Sequence, residues 1–381
     1  MKREEALVKF KSEEARIILH KINCKYRQQL MEKRDEFAAL LQDGLWSILS
    51  QLEQYPDFQV QEVQFSFLRT HIIDGTYNWL VELHDKDGDY TRQDISRMLD
   101  MKSVLGIYDA CREELYQAAA KYVNTLTPAD CDLIMADNFA YQVLYLYILG
   151  VYAFRDLEKD TRWNRIKVDK IFRVLIGERR DKAFVVFAKN MQARQDEDVL
   201  ADITKQPDVS DFSGMKYVLY DFSGMQILNR NICFRNVTFS NFSEAQLEEG
   251  QFLACKCMFT DWRNCHIRNI DMDGNCLNGA DFSGSTLENV SMTGVRMDVL
   301  PYEETIPLNP AFLPASFRNA TIKNVDFSGS FLAECDFRNA SIGRVNFEGA
   351  DLSGAMIDAK YKEVMNLTEE QKNSISSPAC E

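Results

Sequence analysis

The stretch that decides the fold runs from Asn319 to Ala355 and reads NATIKNVDFSGSFLAECDFRNASIGRVNFEGADLSGA. A large apolar residue returns in it at every fifth position, as at Ile322, Phe327 and Leu332. A helix would need a spacing of three or four residues, and a half-buried strand a spacing of two. A period of five therefore predicts a structural unit of constant length that repeats along the chain.

The same register covers most of the C-terminal half. Every fifth residue from Phe212 to Met297 is apolar, and the series resumes from Phe312 to Ile357. The residue two positions before each centre is mostly small or branched, and the residue directly before it is often Asp or Asn. We expect each five residues to form one short side and a corner, with the centre and the small residue inside, and four sides to close one coil.

Residues twenty apart should then stack in neighbouring coils, at roughly the 4.8 Å spacing of paired strands. One such column is entirely aromatic: Phe222, Phe242, Trp262 and Phe282. We predict that these four rings form a ladder in the core of the coil.

Segments such as ADFSG at 280–284 and ADLSG at 350–354 carry a small residue, an acid and a large apolar residue in fixed order. This pattern resembles the pentapeptide-repeat family over about residues 208–359. The resemblance implies an all-β solenoid, a right-handed quadrilateral β-helix, and its handedness rests on the resemblance alone. Some members of that family mimic DNA and bind type II topoisomerases, and in some the C-terminal end forms a dimer.

The repeat is interrupted near residues 298–311, where the chain reads DVLPYEETIPLNPA. A tolerated surface insertion is the simpler interpretation. The functional interpretation is a projecting loop that contacts a partner through Tyr302, Glu303 and Glu304. Because Tyr302 keeps the period of five, a distorted coil also stays open.

Residues 360–381 should close the last coil, because an open coil exposes unpaired backbone and apolar centres. Thr368 and Gln371 have the spacing of a capping box, which predicts a short capping helix. Self-association of two copies through residues 360–375 is an open alternative.

Residues 1–200 read as a separate α+β domain that is mainly helical and resembles no family known to us. Alternation on both sides of Asp74 and Gly75 predicts a β-hairpin, and a second hairpin is expected near the end of this domain. Thr91 should begin a helix that runs to about Val123. Thr127 should begin another, which contains the apolar run that ends at Phe154.

Composition excludes several classes of function. The formal net charge of −14 argues against direct binding to nucleic acid or to an anionic membrane, and residues 201–381 alone carry 15 basic and 25 acidic residues. The longest apolar run, Tyr141–Phe154, is too short to span a bilayer and predicts a buried core helix. Without an apolar leader, and with ten irregularly spaced cysteines, the chain is expected to be cytoplasmic with reduced thiols.

Candidate chemical sites are few. Cys255, Cys257, Cys265 and His266 resemble a zinc cluster on paper, but the five-residue register turns the three cysteines inward and the histidine outward. We interpret the cysteines as core residues and the recurring Asp residues as turn acceptors. The sequence predicts no catalytic residue, no metal and no cofactor.

The leading hypothesis is a non-enzymatic protein–protein interaction protein whose solenoid serves as a binding surface or scaffold for a protein of unknown identity. One alternative is a DNA-mimicking protein that binds gyrase, which the acidic C-terminal half favours and its interspersed arginines disfavour. A second alternative is a secreted bacterial effector. Neither nucleic-acid binding nor membrane association is expected.

Overall fold

The computed structural model describes residues 2–55, 57–85, 95–205, 214–299, 312–362 and 365–376. The chain divides into two compact units at the bond between Ala193 and Arg194. Tyr302, Glu303 and Glu304 lie outside the described residues, as do Thr91 and the first repeat centre, Phe212.

The N-terminal unit combines helices with one mixed β-sheet. A π-helical turn, Lys11–Ala15, joins its first two helices into one continuous rod. Five strands form the sheet in the order β3-β2-β1-β4-β5, with only β1 and β4 parallel. The helices are α1 (Arg3–Phe10), α2 (Arg16–Glu32), α3 (Arg34–Leu49), α4 (Arg69–Ile73), α5 (Lys102–Leu105), α6 (Ile107–Ala119) and α7 (Pro128–Phe154), and the strands are β1 (Val60–Phe67), β2 (Asn78–His84), β3 (Ser96–Asp100), β4 (Val168–Glu178) and β5 (Ala183–Asn190).

Both expected hairpins are present as antiparallel pairs, β1 with β2 and β4 with β5. The first pair is joined by helix α4 and not by a tight turn at Asp74 and Gly75. Inward-facing side chains of the sheet, such as Val63, Phe65 and Trp79, are buried. They form the core of this unit together with apolar residues of α3 and α7.

Helix α7 is the central core helix of the unit. It begins after Thr127, as predicted, and Thr127 and Asp130 form a capping box there. Among the described residues, one stretch, Pro128–Lys159, is long and apolar enough to cross a membrane, and 72% of its most apolar window is buried. Its close packing explains Gly150, where a β-carbon would lie 2.5 Å from Cδ1 of Ile176.

The prediction of a helix from Thr91 to Val123 is wrong in its first part. Ser96–Asp100 forms strand β3, which pairs antiparallel with β2, and the main helix begins only at Ile107. Strand β3 gives the exposed edge of β2 its hydrogen-bond partners, and this tertiary gain outweighs local helix preference.

The C-terminal unit is a repeat β-fold in which the chain returns to the same strand position every 20 residues. Gln246 pairs with His266 and His266 with Thr286, all in parallel. The unit contains helices α8 (Asp196–Ile203), α9 (Ala359–Lys362) and α10 (Glu369–Ser374), and strands β6 (Gln226–Leu228), β7 (Asn231–Cys233), β8 (Gln246–Leu253), β9 (His266–Asp271), β10 (Thr286–Ser291), β11 (Thr321–Asp326), β12 (Ser341–Ile342) and β13 (Val345–Asn346).

Candidate functional site

Four separate lines of parallel pairing run along the repeat unit, and each defines one face of the stack. We name each face after one of its surface residues in the coil that follows Ala254: the Lys256, Asp261, Arg268 and Asp271 faces. The Lys256 face pairs Asn236, Lys256, Cys276, Arg296, Phe331 and Asp351, and the Asp261 face pairs Asp221, Asn241, Asp261, Asp281, Ser316 and Asp336. The Arg268 face consists of β6 and of the starts of β8 to β12. The Asp271 face pairs Asn231, Gln251, Asp271, Ser291, Asp326 and Asn346.

The predicted ladder residues lie together inside the stack. The ring centroids of Phe222 and Phe242 are 4.6 Å apart, those of Phe242 and Trp262 are 4.1 Å apart, and those of Trp262 and Phe282 are 5.6 Å apart, with near-parallel planes. All four side chains are fully buried. The ladder therefore belongs to the apolar core of the stack, as predicted.

Above Phe282 the ladder continues with Phe317, at 4.9 Å. Strand β10 likewise pairs with β11 at an offset of 35 residues, as in Thr286 with Thr321. Fifteen residues are thus inserted between Arg296 and Ser316.

The recurring Asp and Asn residues close the turns. Asp221, Asn241 and Asp281 each accept a hydrogen bond from the backbone N–H two residues later, at 2.9 to 3.1 Å. The same bond recurs on the other faces, for example at Asp326 and Asp351. The interpretation of these residues as turn acceptors is confirmed.

Arginines neutralise much of the acidic surface. Arg263 donates to both carboxylate oxygens of Asp261, with its closest contact at 2.6 Å, and Arg338 binds Asp336 in the same manner. On the Arg268 face, Arg268 lies between Glu248 and Glu288 of the neighbouring coils. Two of the four faces therefore carry interleaved charges of both signs.

The thiols of Cys255, Cys257 and Cys265 are buried, and His266 is exposed. Loss of hydration on burial raises the pKa of Cys257 and Cys265 well above the ordinary thiol value. These thiols remain protonated at neutral pH and behave as small core residues. Among the described residues, no group of three or more potential ligands could hold a metal ion.

Helix α8 covers the first coil, which the sequence reading missed. Leu200 and Ile203 join the apolar core of the stack. The buried guanidinium of Arg235 donates to the carbonyl oxygens of Ile203 and Lys205 at the end of this helix, at 2.9 and 2.6 Å. Asp202 accepts bonds from Lys216, Tyr217 and Lys205, which hold its pKa well below the ordinary range.

The last coil is covered by the segment that contains α10. Thr368 and Gln371 form the predicted capping box. The side-chain amide of Gln371 donates to the carbonyl oxygens of Phe347 and Ala350, at 2.8 and 2.9 Å. Ser376 then pairs with Met356 and extends the backbone pairing of the Asp261 face. Both ends of the stack are thus closed by helices with buried polar contacts.

The Lys256 face differs from the others at its corners. Corner residues adopt positive φ, a conformation that glycine and asparagine tolerate and other side chains enter at a cost of roughly 1 kcal/mol. Among the described corners of this unit, bulky apolar residues occur at four positions, all flanking this face. They are Leu219, Phe234, Phe239 and Phe259, with φ of 54° to 63°. Elsewhere the non-glycine corners are mostly Asn or Glu.

These apolar corners form a ridge, defined by Leu219, Phe239 and Phe259, along one edge of the Lys256 face. The rings of Phe239 and Phe259 stack at 5.3 Å. Phe234, on the opposite edge, is 52% exposed. A signal for the ridge was present in the sequence, because the second residue after a centre is usually Asn or Gly and here is Leu or Phe.

A cavity of about 400 Å³ lies in the N-terminal unit, between the end of α3 and the start of β4. Trp46, Tyr55 and Phe58 line it, and the guanidinium of Arg162 lies 4.3 Å from the ring centroid of Trp46. That guanidinium is already bound to both oxygens of Asp160. The sequence reading did not identify this cavity.

The family model for pentapeptide repeats matches eight copies in this chain, at residues 255–297 and 315–354. These residues are pentapeptide repeats. The two matched segments lie on either side of the fifteen-residue insertion. The family model does not match residues outside these two segments.

Relatives and solved structures share this region. The quinolone resistance pentapeptide repeat protein QnrB96 of Scandinavium goeteborgense is 28% identical over 126 residues, 33% of this chain and 50% of that protein. HetL of Nostoc sp. strain PCC 7120, involved in heterocyst differentiation regulation, is 19% identical with a TM-score of 0.22, over 35% of this chain and 60% of HetL. Rfr23 of Cyanothece 51142 is 12% identical with a TM-score of 0.20, over 38% of this chain and 98% of Rfr23. The chain thus spans about half the length of the curated relative it matches.

Proposed function

We propose that this protein is a non-enzymatic binding protein whose pentapeptide-repeat region presents an inflexible surface to a protein partner. The observation that carries the proposal is the apolar core of the stack: ladder rings, thiols and small residues occupy it, and helices cover both ends. The outer faces are then the part of this region that recognises a partner. The similarity of this region to a pentapeptide-repeat protein of quinolone resistance supports this proposal.

We further infer that the stack is the right-handed quadrilateral β-helix implied by the family resemblance. Its support is the set of four pairing lines, each with a 20-residue offset outside the insertion. A polygonal tube of this kind resists bending, because each coil is hydrogen-bonded to the next on every side. We also propose that residues 1–200 form a separate domain and that the protein is cytoplasmic.

Gyrase binding by DNA mimicry is the second candidate, favoured by the similarity to QnrB96. The Asp271 face supports it best, since Asp271 and Asp273 lie close together. Burial is the largest cause that raises the pKa of Asp271, and the charge of Asp273 adds to it. The arginine–aspartate pairs on the Asp261 face count against it, because DNA presents phosphates without interleaved cations.

Two assays separate these candidates. The full chain and a chain truncated after Ala193 are used as baits for affinity purification and mass spectrometry. A protein recovered in stoichiometric amount only by the full chain supports the proposal, and equal recovery by both baits contradicts it. In a gyrase supercoiling assay with and without a quinolone, we expect the full chain to have no effect, and protection of supercoiling would favour the second candidate.

A further inference from the structure

We propose that the Arg268 face is the contact surface of a homodimer, in which two copies of this chain pack face to face with their stacks antiparallel. Such a dimer goes beyond the proposed function, which needs a different protein as partner. The starting point is one column of surface residues on this face, which are neighbours in successive coils. In chain order they are Leu228, Glu248, Arg268, Glu288, Lys323 and Gly343.

This column is complementary to itself. Its four central residues alternate in charge, starting from a negative one at Glu248. When a second copy is turned end to end about the middle of the column, Arg268 lies opposite Glu288 of the second copy. Glu248 then lies opposite Lys323, and Leu228 lies opposite Gly343, the one member of the column without a side chain. A single two-fold axis thus brings every charge of the column to an opposite charge, as an isologous interface requires.

The charged groups of the column are exposed and only loosely paired within one chain. The side chains of Arg268, Glu248 and Glu288 are 57%, 45% and 45% exposed. Arg268 lies 3.6 Å from Glu248 and 3.9 Å from Glu288, which are ion-pair distances but too long for hydrogen bonds. Lys323 is exposed and has no ion pair within the described part of the chain. A second copy can therefore supply charge-assisted hydrogen bonds that the single chain does not make.

The rest of the face suits the same contact. The neighbouring column contains no carboxylate, lysine or arginine, so it adds no contact between like charges; its members are Gln246, His266, Thr286, Thr321 and Ser341. The six coils span roughly 24 Å, and a side of three residues measures roughly 10 Å. This area is small for a permanent interface, so we expect a reversible dimer that salt weakens.

The test is sedimentation equilibrium of the purified full chain over a range of protein concentrations. We expect a monomer–dimer equilibrium whose dissociation constant rises at least tenfold from about 0.05 M to about 0.5 M NaCl. A monomer at every concentration overturns the inference. The assay contains no other protein, so its failure leaves the proposed function to its own bait experiment.

The decisive variants exchange charges within the column. R268E makes three successive positions negative and should raise the dissociation constant at least tenfold. R268E/E288R again brings opposite charges together across the two-fold axis and should restore the dimer. A double variant that stays monomeric with an unchanged thermal midpoint overturns the inference. If R268E lowers that midpoint, K323E serves in its place, because it also sets like charges opposite each other.

The matched control is R318E on the Asp261 face. Arg318 is 45% exposed and also lies 3.6 Å from a carboxylate, that of Asp336. R318E therefore has the same net charge as R268E but should keep the dimer. Equal weakening by both variants would show an effect of net charge alone. A dimer that survives R268E would lie elsewhere, for example at residues 360–375, and either result overturns the inference.

Discussion

Trp262 is the largest side chain in the aromatic ladder, and it is fully buried. Its indole stacks between Phe242 and Phe282, and its ring N–H donates to Oγ1 of Thr260 at 2.7 Å. Such a residue combines apolar burial, ring stacking and a satisfied polar group in one position. The stability of the coil therefore depends on single side chains at this scale.

We expect W262A to lower the free energy of unfolding of the repeat unit by about 3 to 5 kcal/mol, because a cavity replaces the ring and Thr260 loses its donor. W262F, which keeps an aromatic ring in the stack, should cost clearly less. Urea denaturation followed by far-UV circular dichroism measures both. Equal losses in the two variants would mean that stacking contributes little.

At the scale of the element, the two terminal helices act as lids made of polar as well as apolar contacts. At the C-terminal end, the side-chain amide of Gln371 donates to the carbonyl oxygens of Phe347 and Ala350, and the former also accepts from the N–H of Ala350. At the N-terminal end, Arg235 donates to the carbonyl oxygen of Ile203 at the end of α8. Asp202 of the same helix accepts hydrogen bonds from Lys216 and Tyr217. Both lids end the backbone pairing of the stack without leaving an open edge.

Gln371 gives the first prediction for these elements. Q371A removes the side-chain donor to the carbonyl oxygens of Phe347 and Ala350, and only that of Phe347 keeps another donor, the N–H of Ala350, so the loss should cost about 1 to 3 kcal/mol. T368A removes the other member of the capping box but keeps the amide of Gln371, and should cost about 1 kcal/mol. Hydrogen exchange should rise for Q371A in the last coil, near Ala350, before it rises in the middle of the stack. Uniform acceleration would contradict a local lid.

Asp202 gives a pH prediction. Its pKa in the folded state lies below its ordinary value, so the carboxylate stabilises the fold above pH of about 4, and this stabilisation is lost as the pH falls below that value. We expect D202N to be less stable at pH 7 and to lose less stability than the unmodified protein between pH 5 and pH 2. Urea midpoints across this range measure the difference. Parallel pH profiles would show that Asp202 is not the group responsible.

At the scale of the whole molecule, the two units have separate cores, and the C-terminal one is complete between Val199 and Ile375. We expect a fragment Arg194–Glu381 to fold alone and to unfold in one cooperative transition with a β-type circular dichroism spectrum. A fragment beginning at Met215 lacks α8 and should melt at a lower temperature. A helical spectrum from the longer fragment would contradict this division.

Some of this architecture was open to prediction, because a period of five has few structural solutions. The ladder of Phe222 to Phe282 and the capping box at Thr368 follow from spacing alone. The interruption near residues 298–311 was also predicted, but the choice between an inserted segment and a distorted coil stayed open, because fifteen residues are a multiple of five and preserve the phase of Tyr302 and Phe312. Helix α8 was missed because it is short and packs on the stack through few apolar residues, Val199, Leu200 and Ile203. Strand β3 depends on the distant edge of β2, which local sequence does not reveal.

Because every coil between the two lids presents the same pairing pattern to its neighbours, the length of the stack increases in equal steps of one coil. Removing or duplicating any block of 20 residues from the uninterrupted coils would shift the two lids by about 4.8 Å and leave each of them on an equivalent seat. The distance between the two lids is thus determined by the number of coils. It can be changed by whole coils, in evolution or by design, without a change to either terminal helix.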